Sequence, residues 1–312
     1  MRPRTIFLGT PAFAVPSLDA IDRLCDAGIL SLVGVVTQPD RQGDRGRPAP
    51  PPVKERALAH GVPVLQPARL AGDGLAAVIA LRPALLVWAA YGNLIPRALL
   101  DAAGGSAVNV HASLLPRWRG AAPVARAILA GDAETGVSLM VGTVGLDAGP
   151  VLTAVRTAIG ADEDAGALAA RLAEIGAALL ERELPRYLHG ELVPVPQDER
   201  GVTWATKLTT ADGVLDWARP ADELARRVRA MTPEPGAFTT FRGRRLGVAR
   251  ATVAGGAPAA HGVVRVRHGV PHVAAGAGSL RLDLVTPAGK RTMPGADWAR
   301  GIRDLEGARL PC

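Results

Sequence analysis

Asn109 and His111 stand two residues apart in the run Ala107–His111 (AVNVH), so on an extended strand both side chains point to one side. An amide N–H beside an imidazole can donate hydrogen bonds to an oxygen that gains negative charge, and the imidazole exchanges a proton near neutrality. The chain then enters Ala112-Ser113-Leu114-Leu115-Pro116-Arg117-Trp118-Arg119-Gly120, where arginines flank a tryptophan in a turn bounded by proline and glycine. A lone histidine is more often structural, and a lone asparagine more often marks a strand end. It is the pair, at the carboxyl end of a strand and beside such a loop, that points to a site. Asp147 lies in the turn Gly145-Leu146-Asp147-Ala148-Gly149-Pro150. It reads first as a turn former, and a pairing with His111 is what would make it more than that.

Other chemistries find less support. Gly9-Thr10-Pro11 lacks the G-x-G-x-x-G spacing, and Pro11 removes a backbone N–H that a pyrophosphate would use. No His, Cys or Glu spacing resembles a metal site, and no nucleophile elbow is present. His261, His268 and His272 fall in a turn-rich basic region and read as surface residues, and Cys25 reads as a small core residue.

The elements that must position these residues follow from periodicity. Short apolar strands are expected at Thr5–Gly9, Leu30–Thr37, Val62–Leu65, Leu85–Ala90 and Ala107–His111, with helices between them, for example at Val53–His60 and Leu75–Leu81. Such alternation predicts an α/β domain with a mostly parallel sheet. Two further strands, Val137–Val141 and Val151–Val155, precede a long amphipathic helix over Asp162–His189 with an acidic first turn. The proline-punctuated Leu192–Arg200 reads as a linker. Beyond a helix at Ala221–Met231 come short runs with glycine turns, Phe238–Phe241, Leu246–Val253, Gly262–Val266, Val270–Ala274 and Leu280–Leu284, which predict a small β-barrel or sandwich. Leu280, Leu282 and Leu284 are expected on one face and Arg281 and Asp283 on the other. The predicted division is residues 1–190, a linker at 191–206, and 207–312.

The 312 residues are 48% apolar and 21% charged, as in globular chains, with no apolar run long enough to span a membrane. Two cysteines and no signal-peptide pattern predict a reduced, cytoplasmic protein. The net charge of +7 is unevenly spread: residues 1–200 carry −1 and residues 201–312 carry +8. A segregated positive field favours a polyanionic partner.

The block from Asn109 to Pro123 resembles the methionyl-tRNA formyltransferases. The resemblance extends to Phe7–Pro11, Thr37–Arg41, Tyr91–Pro96, Gly131–Gly136, Gly145–Asp147 and Pro287–Arg291. It implies a Rossmann-like formyltransferase domain followed by a small oligonucleotide-binding-like β-barrel. It also implies transfer of the formyl group of 10-formyltetrahydrofolate to the α-amino group of methionine on initiator tRNA, with no metal and by a monomer. The catalytic trio falls on Asn109, His111 and Asp147. The folate falls on Ser113, Leu114, Leu115 and Pro116, with Tyr91, Gly92 and Ile95 nearby. The tRNA falls on Arg41, Arg45, Arg117, Arg119, Lys207, Lys290 and Arg291. Two departures stand out: Gly46-Arg47-Pro48 replaces the usual Gly-Lys-Lys, and Thr143 stands where an acidic residue is usual. The competing readings are a formyltransferase for a small amine, which would need neither the arginine loop nor a basic barrel, and an RNA-binding protein on a decayed enzyme scaffold, which would have lost the trio.

Overall fold

The computed structural model describes residues 1–42, 48–255 and 260–311. In chain order its first part comprises β1 (Arg4–Gly9), α1 (Val15–Asp26), β2 (Ser31–Val36), the short pair β3 (Arg41–Gln42) and β4 (Pro48–Ala49), α2 (Pro52–Ala59), β5 (Val64–Leu65), α3 (Gly72–Ile79), β6 (Leu85–Ala89), α4 (Arg97–Ala102), β7 (Ala107–His111), β8 (Arg119–Gly120), α5 (Pro123–Ala130), β9 (Glu134–Val141), β10 (Val151–Ala158) and α6 (Ala165–Leu188). Then follow β11 (Trp204–Ala205), α7 (Ala221–Met231), β12 (Ala237–Phe241), β13 (Arg244–Ala254), β14 (Val264–Arg267), β15 (Val270–Ala274), β16 (Ser279–Pro287), β17 (Met293–Pro294) and α8 (Gly295–Arg300).

The chain folds as two compact units. One comprises Met1–Pro123, Glu134–Ala158 and Ala169–Thr206; the other comprises Val124–Ala133, Ile159–Leu168 and Lys207–Cys312. The first is built on a seven-stranded sheet of order β10-β9-β7-β6-β1-β2-β5. β7, β6, β1, β2 and β5 run parallel, while β9 pairs antiparallel with both β7 and the edge strand β10. Ile6, Phe7, Leu8, Leu85, Leu86 and Val87 are fully buried, which explains why these strands read as unbroken apolar runs. The long helix begins at Ala165, not Asp162, because the Asp164 carboxylate accepts the Ala167 N–H and caps the helix.

The segment read as a linker is not free chain. Val195 pairs antiparallel with Val151, and β11 pairs parallel with β8, so 195–205 lies on the first unit as a strap. Its prolines favour extended backbone that can pair at an edge, and a short 3-10 turn at Glu199–Gly201 joins the two pairings.

The second unit holds an antiparallel sheet of order β12-β13-β16-β15-β14, with β17 on β16. Leu280 and Leu282 are buried and Arg281 is exposed, as their alternation predicts. Leu284 is not: Val285 takes the buried place. A register irregularity around Arg250 of β13 shifts the pairing, and a one-residue shift turns the following side chains over.

α6 is held close to β7 at Gly176, where an added Cβ would lie 2.7 Å from Val110 Cγ1 and 3.3 Å from Val137 Cγ1. Alanine is favoured over glycine within a helix by about 1 kcal/mol. Valine is stiff at χ1 and overpacking costs roughly 1–3 kcal/mol, so the clash should win. Gly176→Ala is therefore expected to lower Tm by a few degrees in a thermal melt. A Tm at or above that of the wild type would show that β7 gives way at no cost.

Candidate active site

Strand order reverses between β1 and β6, so a crevice opens at their carboxyl ends, where open α/β sheets bind ligands. Three connections meet there. Thr10 Oγ1 donates to the Tyr91 carbonyl (3.0 Å) and accepts the Gln38 N–H (3.3 Å). The Tyr91 ring is buried among Ile6, Leu8, Val36 and Leu99, and burial pushes its phenol above the ordinary range, opposed by Asn93. Ile95 is buried too, so the turn offers exposed backbone at Gly92, where φ is +90° and only glycine is at ease.

β7 lies beside β6. Its Val108 and Val110 are buried with the core, and Asn109 and His111 share the alternate face, 4% and 6% exposed. Asp147 comes to them from the turn after β9. Asn109 Nδ2 donates to Asp147 Oδ1 (3.1 Å), and the Gly120 N–H donates to Oδ2 (2.9 Å). His111 Nδ1 lies 3.6 Å from Oδ2, and His111 Nε2 donates to the Trp118 carbonyl (2.9 Å). A carbonyl can only accept, so Nε2 carries a proton and Nδ1 is the ring atom left for exchange. Asp147 and Trp118 adopt φ of +49° and +63°, a left-handed conformation that costs non-glycine residues about 1 kcal/mol or more. Gly120 has φ +123°, and a Cβ there would lie 2.7 Å from the Ala205 carbonyl oxygen.

The loop after β7 is locked from within. Ser113 Oγ donates to the Arg117 carbonyl (2.6 Å), and the Ser113 carbonyl accepts from Ser138 Oγ (2.8 Å), which also accepts the Leu115 N–H (3.1 Å). Ser113 is fully buried, whereas Leu114, Leu115 and Pro116 are half-buried and offer an apolar wall.

The basic residues expected to meet tRNA separate into groups. Arg41, Lys207, Lys290 and Arg291 are exposed, and Arg45 lies outside the described residues. The Arg117 guanidinium sits over the Trp118 ring at 4.6 Å. Arg119 differs from these: it is 3% exposed, donates to Gln197 Oε1 (3.0 Å) and pairs with Glu199 (2.9 Å), so its guanidinium is engaged by groups of its own chain. In the second unit, Arg245, Lys290, Thr286 and Thr292 line a groove of about 500 Å³. Ser138, Gln197 and Thr203 do not stand out in the sequence, because polar residues in loops and on strands carry no spacing signal of their own.

Comparison with known proteins identifies the family. Residues 4–184 match the Formyl transferase family and residues 207–303 match the Formyl transferase, C-terminal domain family. The chain is 48% identical to the methionyl-tRNA formyltransferase of Halorhodospira halophila, over 98% of this chain and 99% of that one. It is also 48% identical to that of Myxococcus xanthus, over 99% and 98%. This chain belongs to the methionyl-tRNA formyltransferase family. A solved N-formyltransferase from Helicobacter canadensis, in complex with folinic acid and dTDP-3-aminofucose, shares the fold. Its TM-score is 0.69 at 15% identity, over 90% of this chain and 99% of that one.

Thr10 ties the connections after β1, β2 and β6 together at the switch point. Thr10→Val keeps the shape but strands the Gln38 N–H and loses the bond to Tyr91, a cost of about 1–3 kcal/mol. Steady-state kinetics should show KM for the formyl donor raised several-fold with a smaller change in kcat. A fall in kcat alone would place the knot's effect on the trio instead.

Proposed function

We propose that this chain transfers the formyl group of 10-formyltetrahydrofolate to the α-amino group of methionyl initiator tRNA, with Asn109, His111 and Asp147 doing the chemistry. The observation that carries the assignment is the convergence of these three side chains at the carboxyl end of β7, beside the crevice at the switch point.

The reaction forms a bond from the amine nitrogen to the formyl carbon and breaks the bond from that carbon to the folate nitrogen. The amine loses a proton and the leaving nitrogen gains one, while the formyl oxygen carries negative charge in between. Asn109 has two N–H donors; one meets Asp147, and the other is free to meet that oxygen. His111 can donate to the oxygen only from Nδ1, hence only when that atom holds a proton. The same proton lies beside Asp147 Oδ2, so carboxylate and imidazole can pass it between attacking and leaving nitrogens. No covalent intermediate on the enzyme is required.

The half-buried wall of Leu114, Leu115 and Pro116, with the exposed backbone around Gly92, suits a flat pterin that needs apolar faces and backbone hydrogen-bonding groups. Exposed Lys207, Lys290 and Arg291 in the second unit, in a segment carrying +8, suit the phosphates of tRNA. We assign donor and chemistry to the first unit and tRNA binding to the second, with Arg41, Arg45 and Arg117 adding to it. The trio and its brackets come from one chain, which supports a monomer, and the tRNA substrate supports a place in the cytoplasm.

The test is formyl transfer from 10-formyltetrahydrofolate to charged initiator tRNA, compared with small amines. Asn109→Ala, His111→Ala and Asp147→Ala should each lower kcat roughly 10²–10³-fold, the usual loss for one oxyanion donor, with non-additive combinations. Near wild-type turnover in His111→Ala would sink the assignment. Neutralising Lys207, Lys290 and Arg291 together should weaken tRNA binding and flatten its log–log salt dependence by roughly 0.7–0.9 for each phosphate no longer bound. An unchanged slope, with efficient use of small amines, would favour the small-amine formyltransferase.

A further inference from the structure

His111 ends β7 and Asp147 lies in the turn after β9, yet one segment reaches both. Gln197 Nε2 donates to the carbonyls of Asp147 (2.8 Å) and Gly149 (2.7 Å), gripping the backbone on either side of Ala148. Its direction is set by Arg119, which can only donate and takes Gln197 Oε1 at 3.0 Å, so both amide hydrogens face the turn. Six residues on, Thr203 Oγ1 accepts the Trp118 N–H (2.9 Å) and the Thr203 carbonyl accepts the Arg119 N–H (2.9 Å). Trp118 is the residue whose carbonyl takes the His111 Nε2 proton. The strap is itself anchored on both sides, by two 2.8 Å bonds between Val195 and Val151 and by the pairing of β11 with β8.

Both held residues need holding. Trp118 and Asp147 have positive φ without being glycine, and the turn around Asp147 is open, with Val144 53% and Leu146 46% exposed. Such backbone persists only where its surroundings over-determine it. A 1 Å misplacement of a reacting group can cost about 10²-fold in rate.

We propose that Gln197 and Thr203 are positioning residues, the two grips by which the strap 195–205 sets the Asp147 carboxylate against His111 Nδ1. The proposal rests on the catalytic reading of the trio. Gln197 acts on Asp147 through its backbone, Thr203 acts on His111 through Trp118, and Arg119 orients Gln197 instead of meeting tRNA.

The test is steady-state kinetics on the full-length protein. Gln197→Ala and Thr203→Val are expected to lower kcat about 10–100-fold, with KM for formyl donor and tRNA within about threefold of wild type. Thr203→Ser keeps the accepting hydroxyl and is expected to restore most of kcat. Gln197→Glu keeps the acceptor for Arg119 but cannot donate to two carbonyls, so it should be no better than Gln197→Ala. In an Asp147→Ala background, Gln197→Ala should cost less than threefold more, because the group it positions is gone. An equal fold-loss in both backgrounds, or Thr203→Ser as poor as Thr203→Val, would overturn the proposal. So would kcat within twofold of wild type in both Gln197→Ala and Thr203→Val. Should Gln197→Ala fail to fold, the Thr203 pair decides the matter. If Asp147→Ala and His111→Ala keep wild-type turnover, the catalytic reading fails; if they lose it while the strap variants do not, only this inference fails.

Discussion

One carboxylate organises the site. Asp147 accepts a side-chain N–H from Asn109 on one oxygen and the Gly120 N–H on the other, and the second oxygen faces His111. A carboxyl group that is 13% exposed must find hydrogen-bond partners within the protein, because the water it has lost would otherwise supply them. The donors come from a sheet strand and from the loop after it, and the carboxylate from a turn near residue 147. Each requires its own segment of backbone to be held, and two of those segments hold residues in left-handed conformations. The architecture of the first unit is largely an answer to that requirement.

The sheet supplies the rigid side of it. β7 sits between parallel β6 and antiparallel β9, and Ser138 of β9, opposite His111, ties the following loop at Ser113 and Leu115. The strap supplies the other side, through the pairing of β11 with β8. Arg119 of β8 is buried against it and donates to Gln197 of the strap. A guanidinium donates in a fixed plane, so it fixes the orientation of the amide it binds. The second unit has a different physical character. It is antiparallel, basic and rich in exposed arginine, which fits it for a long polyanion whose affinity comes from its phosphates.

Much of this is legible in the sequence. Strand and helix periods place the elements of the parallel sheet to within a few residues, since buried parallel strands leave unbroken apolar runs and amphipathic helices leave a stripe. The pair at Asn109 and His111 is visible because residues two apart on a strand share a side. Charge segregation is visible because it needs only counting. The helix starts at Ala165, about one turn later than its acidic run suggests, because such a run suits both a cap and a first turn.

What the sequence could not decide was which separate segments meet. Asp147 reads first as a turn residue, and any further role depends on a pairing with His111, which is remote in the chain. Arg119 looks like its neighbour Arg117, yet one is buried on Gln197 and Glu199 and the other lies over Trp118. Residues 191–206 look like a linker, because prolines mark both free chain and edge pairing. Local patterns record what each residue does within one element. Hydrogen bonds between distant loops leave no period, and only the tertiary fold brings donor and acceptor together.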